Sequence, residues 1–392
     1  MIFSKKIVEE IANSYGTPLY IYSFEEIIKR INLVTDVFSG VNFLPTFACK
    51  ANNNPRIIEV FGKQGFGTDI VSIGEYYASK MAGIDDGKIV WNGNGKSKKN
   101  MEYLGQKVKY INIDSLEEYE RWTAIQTNAE FFLRINPDVD PQTHPHISTG
   151  LKKNKFGIHL ELLENTLKDK RLKISGFHVH IGSQITHVEA FEEAISKVVE
   201  LSKRYGFSKI NIGGGWGINY KDDELNIDSY KKKIIPYLKS FDLVIFELGR
   251  YLIAPAGILV LKVEYIKRTP YKTFIVVDGG LNVLMRPAMY NAYHRVYVLE
   301  PYNNNSEEEI VDLVGPLCES GDILALERKL KIPKEGSFLV IEDVGAYGYA
   351  MSNNYNSMPR PAEILVTQNH NSFEAKLIRR CETLSDLFRN VI

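Results

Sequence analysis

Phe43-Leu44-Pro45-Thr46-Phe47-Ala48-Cys49-Lys50-Ala51-Asn52-Asn53-Asn54-Pro55 is the stretch on which the fold turns. An apolar, strand-like run reaches Lys50, and Asn-Asn-Asn-Pro stops it at once. That order puts an amine at the C-terminal end of a buried strand, where a (β/α) barrel builds its active site. A lysine there is expected to be partly desolvated, which makes its neutral, nucleophilic form accessible for Schiff-base chemistry. The plainer alternative is a lysine at a strand end that simply reaches water.

Outward from this stretch, β-like and helix-like runs alternate. The strand candidates are 43–50, 65–72, 88–93, 110–115, 130–137, 174–183, 209–215 and 243–250. Charged, periodic stretches such as 74–82, 116–126, 160–168, 188–205 and 228–239 lie between them. Eight β-then-α units close a TIM barrel, whereas an open doubly wound sheet is the competing architecture. The count favours the barrel. After residue 250 the texture becomes β-rich (258–266, 271–279, 295–299, 337–343) and reads as a second, mainly antiparallel β domain. The Pro18-Leu19-Tyr20-Ile21-Tyr22 run looks like a strand that joins it. The expected division is therefore a cofactor-binding barrel at 27–257 and a β domain from 1–26 and 258–392. The only low-complexity stretch is 302–309.

Composition excludes several classes of function. The 392 residues are 44% hydrophobic and 24% charged, as in ordinary globular proteins. Forty-eight basic and 48 acidic residues cancel, so no global field recruits nucleic acid or an anionic membrane. The lysine pairs and triplets (Lys152-Lys153, Lys231-Lys232-Lys233) read as solvated faces. Cys49, Cys318 and Cys381 lack disulfide or metal-ligand spacing, which argues for a reducing compartment. With no secretory leader and no spanning apolar run, the expected location is the cytoplasm.

The unusual polar residues gather at the ends of the barrel strands. Asp69 and Ser72 end the second. In Phe177-His178-Val179-His180-Ile181-Gly182-Ser183 the two histidines share a face, but no third ligand makes them a metal site. A core histidine or a ring stacked on a flat cofactor are the readings that remain. Gly213-Gly214-Gly215 follows the seventh strand, where barrels place a phosphate site, although a tight turn accounts for three glycines as well. Glu247-Leu248-Gly249-Arg250 ends the eighth. One cofactor uses all these parts. Pyridoxal phosphate needs a lysine for its aldehyde, donors for its phosphate, a flat partner for its ring and an acid such as Glu247 for its pyridine nitrogen.

The chain resembles the diaminopimelate decarboxylases, members of the alanine-racemase-like, fold type III family of pyridoxal phosphate enzymes. The resemblance runs nearly end to end. It rests on Ala48-Cys49-Lys50-Ala51-Asn52, Asp69-Ile70-Val71-Ser72-Ile73-Gly74-Glu75, His144-Pro145-His146-Ile147-Ser148-Thr149-Gly150, 178–184 and 213–218. Further on it rests on 247–250, Arg286-Pro287-Ala288-Met289-Tyr290, Cys318-Glu319-Ser320 and Gly345-Ala346-Tyr347-Gly348. Ornithine and arginine decarboxylases share the lysine, glycine and Glu-x-Gly-Arg elements. The 144–150 and Cys-Glu-Ser stretches are similar to the diaminopimelate branch in particular.

By that resemblance Lys50 carries the cofactor, His180 stacks on its ring and Glu247 pairs with its pyridinium. Asp69, Ser183, Gly213, Gly214, Gly215, Gly249, Arg250 and Tyr347 surround the cofactor or its phosphate. Arg250, Arg286 and Tyr290, with Tyr347 nearby, take the substrate's distal carboxylate. Cys318 and Glu319 come from the second subunit of a homodimer, Cys318 for proton transfer and Glu319 for the distal ammonium. No metal is implied. The charges agree: an amino-acid head at the far end of the substrate needs an arginine for its carboxylate and an acid for its ammonium.

Leu248, Val283 and Met358 depart from the residues common in the family (proline, aspartate and arginine). The expected reaction is decarboxylation of meso-2,6-diaminopimelate to L-lysine and carbon dioxide, the last step of lysine synthesis. The rivals are a decarboxylase of ornithine, arginine or a carboxylated polyamine, and a non-catalytic pyridoxal phosphate-binding barrel. The β domain argues against the last.

Overall fold

A computed structural model describes residues 1–140, 155–169, 171–300, 307–369 and 372–392. Two compact units divide the chain: 31–219 with 223–251, and 1–30 with 220–222 and 252–392.

In the first unit, eight parallel strands pair in a closed ring: Phe43–Ala48, Gly67–Ile70, Ile89–Trp91, Tyr110–Ile113, Glu130–Asn136, Ile174–His178, Lys209–Asn211 and Leu243–Leu248. The ring closes where Leu243–Leu248 pairs with Phe43–Ala48, Val244 opposite Phe43 and Leu248 opposite Phe47. This is the expected barrel. The inter-strand loops keep to local chemistry. Asn54 caps the helix Pro55–Lys63, its side chain accepting from Arg56 N–H, with Pro55 at the first helical position. Ser72, Ser97, Ser115 and Asn226 cap the helices that follow strands two, three, four and seven in the same way. After strands one to four the cap follows the strand end within six residues, which fixes those polar strand ends at one rim, whereas Asn226 caps its helix after a longer loop. The barrel wall is apolar: Val90, Phe132 and Ile245 are fully buried together, and Phe38 stacks on Phe246 at 4.5 Å.

The second unit is a mainly antiparallel sheet. Leu19–Ser23 lies inside it, antiparallel to Gly257–Arg268 and parallel to Ala362–Asn369. Leu19, Ile21, Ile258, Val260, Val340, Ile364 and Val366 form its core. Four strands escaped the sequence reading: Glu309–Val314, Ile323–Leu330, Ala362–Asn369 and Ser372–Arg379. Ile323–Leu330 and Ser372–Arg379 are the two ends of the strand order; each carries three charged residues, and most of their positions are exposed or partly exposed. Edge strands carry such residues because they face water and must resist pairing with other chains, which erases the apolar alternation. No helix among the described residues is long and apolar enough to cross a membrane.

Candidate active site

The barrel rim brings together most of the residues singled out in the first unit. Lys50 occupies the turn just after the first strand, and it is exposed. The expected desolvation of its amine is therefore not found: the chain ends the strand two residues earlier, so the side chain leaves the packed wall. Its neighbour Cys49 is fully buried, with its thiol pKa pushed well up by burial.

Glu247 is 7% exposed, and three amides converge on it. Asn92, Asn112 and Asn211 each donate from Nδ2 to Glu247 Oε1, at 2.8, 2.9 and 2.7 Å. His178 Nε2 lies 3.4 Å from Oε2, although neither ring nitrogen makes a well-formed hydrogen bond. Burial opposes ionisation of Glu247. The His178 ring and the Asn92 and Asn211 amides outweigh it and hold the carboxyl well below the usual range. Burial also lowers His178, so at pH 7 its ring is neutral and the amides carry the larger share. Asp69 shares the cluster, accepting from Asn92 Nδ2 at 2.6 Å. Burial first, then the charge on Glu247, raises Asp69 to about 7, against the pull of Lys50 and Asn92. Two neighbouring carboxyls thus diverge: Glu247 stays charged, while Asp69 takes up a proton as the pH falls through about 7.

None of the three asparagines was anticipated. Their signal is legible in retrospect: Asn112 and Asn211 each stand between two isoleucines, and an amide inside a buried strand needs a partner. Arg134 was also missed. It is buried, donating to Asp114 Oδ1 at 3.1 Å and to the His180 carbonyl at 3.4 Å.

His180 accepts at Nδ1 from the Gly214 N–H, 3.2 Å away, which places its ring proton on Nε2. Burial, then Lys50 and Arg134, pushes its pKa well below the ordinary value, so the ring is neutral. The three glycines are required for packing. A Cβ on Gly213 would lie 2.3 Å from Val179 O, on Gly214 1.9 Å from Glu247 O, and on Gly215 2.3 Å from Gly182 O. The Gly213 N–H is taken by Asn211 Oδ1 at 3.0 Å and the Gly214 N–H by His180. Of the three glycine amides, only the Gly215 N–H has no acceptor among the described residues. Beside it, Arg250 Nη2 donates to Ser183 Oγ at 3.0 Å. Gly249 packs against the end of strand one and the turn after it, where a Cβ would come within 3.2 Å of Ala48 and 2.8 Å of Ala51. Leu248 is a buried rung of strand eight, in register with Phe47.

In the second unit, Arg286 is 6% exposed and its guanidinium lies over the Tyr220 ring, 4.6 Å from the centroid. Its Nη1 is 2.7 Å from His294 Nε2, and His294 Nδ1 is 2.8 Å from the Glu342 carbonyl. A carbonyl only accepts, so Nδ1 bears the proton and Nε2 accepts from Arg286. His294 escaped the sequence reading, because a single histidine in a polar stretch has no spacing to mark it. Tyr290 is half-buried at the end of the same short helix, Arg286–Tyr290. Tyr347 sits in left-handed backbone (φ 58°), an unfavourable conformation that often marks functional loops. Cys318 and Glu319 are exposed on a loop that Asp322 braces, its carboxylate accepting from Leu317 N–H at 2.7 Å and Leu281 N–H at 2.6 Å. Val283 is buried and its carbonyl accepts from Tyr20 Oη, whereas Met358 is partly exposed. The stretch 144–150 lies outside the described residues.

The barrel's donor set suits pyridoxal phosphate. It offers an amine at the rim, a buried carboxylate kept ionised for a pyridinium, a neutral imidazole, and an arginine–serine pair beside an uncommitted amide for a dianion. Comparison with known proteins agrees. The family model "Pyridoxal-dependent decarboxylase, pyridoxal binding domain" matches residues 24–254. Diaminopimelate decarboxylase of Aquifex aeolicus is 38% identical over 394 residues, covering 96% of this chain and 91% of that protein. The enzyme of that name from Pseudomonas fluorescens is 40% identical over 395 residues, covering 96% and 93%. The crystal structure of diaminopimelate decarboxylase from Helicobacter pylori complexed with L-lysine superposes with a TM-score of 0.88 at 34% identity, over 97% of this chain and 98% of that one. A match to the cofactor-binding model across the barrel, and to these relatives almost end to end, places the chain in the diaminopimelate decarboxylase family of pyridoxal-dependent decarboxylases.

Proposed function

We propose that this chain decarboxylates meso-2,6-diaminopimelate to L-lysine and carbon dioxide with pyridoxal phosphate as cofactor. The carrying observation is the buried Glu247, ionised on its three asparagines at the rim that also bears Lys50. Pyridoxal phosphate, when bound, serves as an electron sink for the pair left on the α-carbon as carbon dioxide departs, and a protonated pyridine nitrogen strengthens that sink. Glu247 keeps this nitrogen protonated. Lys50 would hold the cofactor through its aldehyde carbon. The neutral His180 ring would stack on the cofactor ring without adding a competing charge. Ser183, Gly215 and Arg250 hold the phosphate, with Tyr347 and the Gly213, Gly214 and Gly249 backbone around them.

At the far end of the substrate, Arg250, Arg286 and Tyr290 take the carboxylate. Arg286 arrives already oriented by Tyr220 and His294, so less side-chain freedom is lost on binding. Glu319 of a second copy takes the distal ammonium, and Cys318 of that copy returns a proton to the α-carbon. The exposure of both residues in a single chain supports this division of labour. The assembly is a homodimer, and the cysteine spacing supports a cytoplasmic location.

The test is carbon dioxide release by the purified holoenzyme from meso-diaminopimelate, ornithine, arginine and lysine. Release from meso-diaminopimelate alone, with lysine as product, is the expected result. Release from ornithine or arginine instead would keep the cofactor chemistry and refute the substrate.

A further inference from the structure

Two rim loops of the barrel, one after strand six and one after strand seven, are locked together by a side chain with no role in the reaction just described. Gln184 sits in left-handed backbone, φ 59°, which disfavours any residue other than glycine. Its amide pairs both ways with a single peptide group. Ile218 N–H donates to Gln184 Oε1 at 3.2 Å, and Gln184 Nε2 donates to Ile218 O at 2.6 Å. The clamp extends a short backbone ladder, in which Ile185 N–H donates to Gly215 O and Gly217 N–H donates to Ile185 O, both at 2.9 Å. The loops are pressed so closely that a Cβ on Gly215 would meet Gly182 O at 2.3 Å.

Ser183 stands one residue before the clamp, and its hydroxyl oxygen is held by Arg250. Gly215, with the uncommitted N–H, stands across the ladder. We infer that Gln184 is a positioning residue for the cofactor's phosphate: by fixing one loop against the other it sets the spacing between the Ser183 hydroxyl and the Gly215 N–H. The inference rests on the reading that Ser183, Gly215 and Arg250 hold that phosphate. The strained backbone at Gln184 is what turns its amide toward Ile218, and the two hydrogen bonds offset that strain.

The experiment compares binding of pyridoxal phosphate and of pyridoxal, which lacks the phosphate, to full-length protein stripped of cofactor, read from the absorbance of the adduct with Lys50. Gln184→Met keeps the length of the side chain and removes both hydrogen bonds. It is expected to raise the dissociation constant for pyridoxal phosphate about tenfold, the effect of losing one or two hydrogen bonds. The constant for pyridoxal should stay within about twofold, since a phosphate effect cannot reach a ligand without one. Gln184→Gly, which removes the clamp and relieves the left-handed backbone, serves if the first variant does not fold, with the same expectation. Equal weakening of both ligands, or of neither, overturns the inference. Ser183→Ala is the control: if it leaves the preference for pyridoxal phosphate over pyridoxal unchanged, the phosphate reading itself is what fails.

Discussion

Glu247 and Asp69 have the same functional group, lie in one cluster, and are driven to opposite states by what surrounds them. The His178 ring and the Asn92 and Asn211 amides favour the charge on Glu247, and burial together with that charge raises Asp69. A prediction follows for the protein without cofactor. Asp69 is raised from its unfolded value of about 3.9 to about 7, so the folded state binds the extra proton. The stabilisation from that proton is complete below about pH 4 and lost as pH rises through 7. Asp69→Asn should therefore raise the melting temperature at pH 8 by roughly 2–4 °C, the effect of about 1 kcal/mol in a domain of this size. At pH 4 it should change little, and thermal scans at the two pH values check the difference. The role of Lys50 is tested more directly. Lys50→Ala should cut carbon dioxide release by roughly three orders of magnitude or more while leaving the circular dichroism spectrum unchanged. Retained turnover would refute its role.

The elements do their work by carrying polar groups to the ends of apolar strands. Asn112 and Asn211 belong to strands four and seven and Asn92 directly follows strand three, so closing the barrel is what brings their amides onto Glu247. In the second unit, the short helix Arg286–Tyr290 ends at Asn291 in left-handed backbone. The chain then returns His294 to the guanidinium. His294→Phe keeps an aromatic ring next to Tyr220 but removes the acceptor for Arg286. It should raise KM for diaminopimelate about tenfold, as for a lost hydrogen bond to a charged group, with cofactor affinity unchanged. Steady-state kinetics beside a cofactor titration separates the two. A loss of cofactor affinity would show that His294 only supports the fold.

In the proposed homodimer the site is shared between two copies, and that sharing is tested on the whole molecule. A Lys50→Ala protein and a Cys318→Ala protein should each be nearly inactive as homodimers. Mixed and allowed to exchange subunits, they should recover roughly a quarter of native activity, because half the dimers are then hybrids with one intact site of two. No recovery, with exchange verified by a mass tag on one partner, would place Lys50 and Cys318 in sites built from a single chain. At this scale the fold was largely legible in advance. The barrel strands and the helices after strands two, four, six and seven follow the alternation of apolar and charged runs, since a parallel strand covered on both faces must be apolar throughout. The edge strands of the second unit were not legible, because water on one side removes the pattern that marks them.

The sequence by itself determined which chemistry is available: an amine after a buried strand, a Glu-x-Gly-Arg strand end and a glycine cluster after strand seven. Those follow from residue type and local order, which the chain carries wherever it folds. Tertiary structure alone decided the state and orientation of the groups. The charge on Glu247 depends on amides 36, 135 and 155 residues away, and the His180 tautomer on a glycine N–H 34 residues on. A pKa and a hydrogen-bond partner are set by what lies within a few ångströms, and closing the barrel brings distant segments into that range.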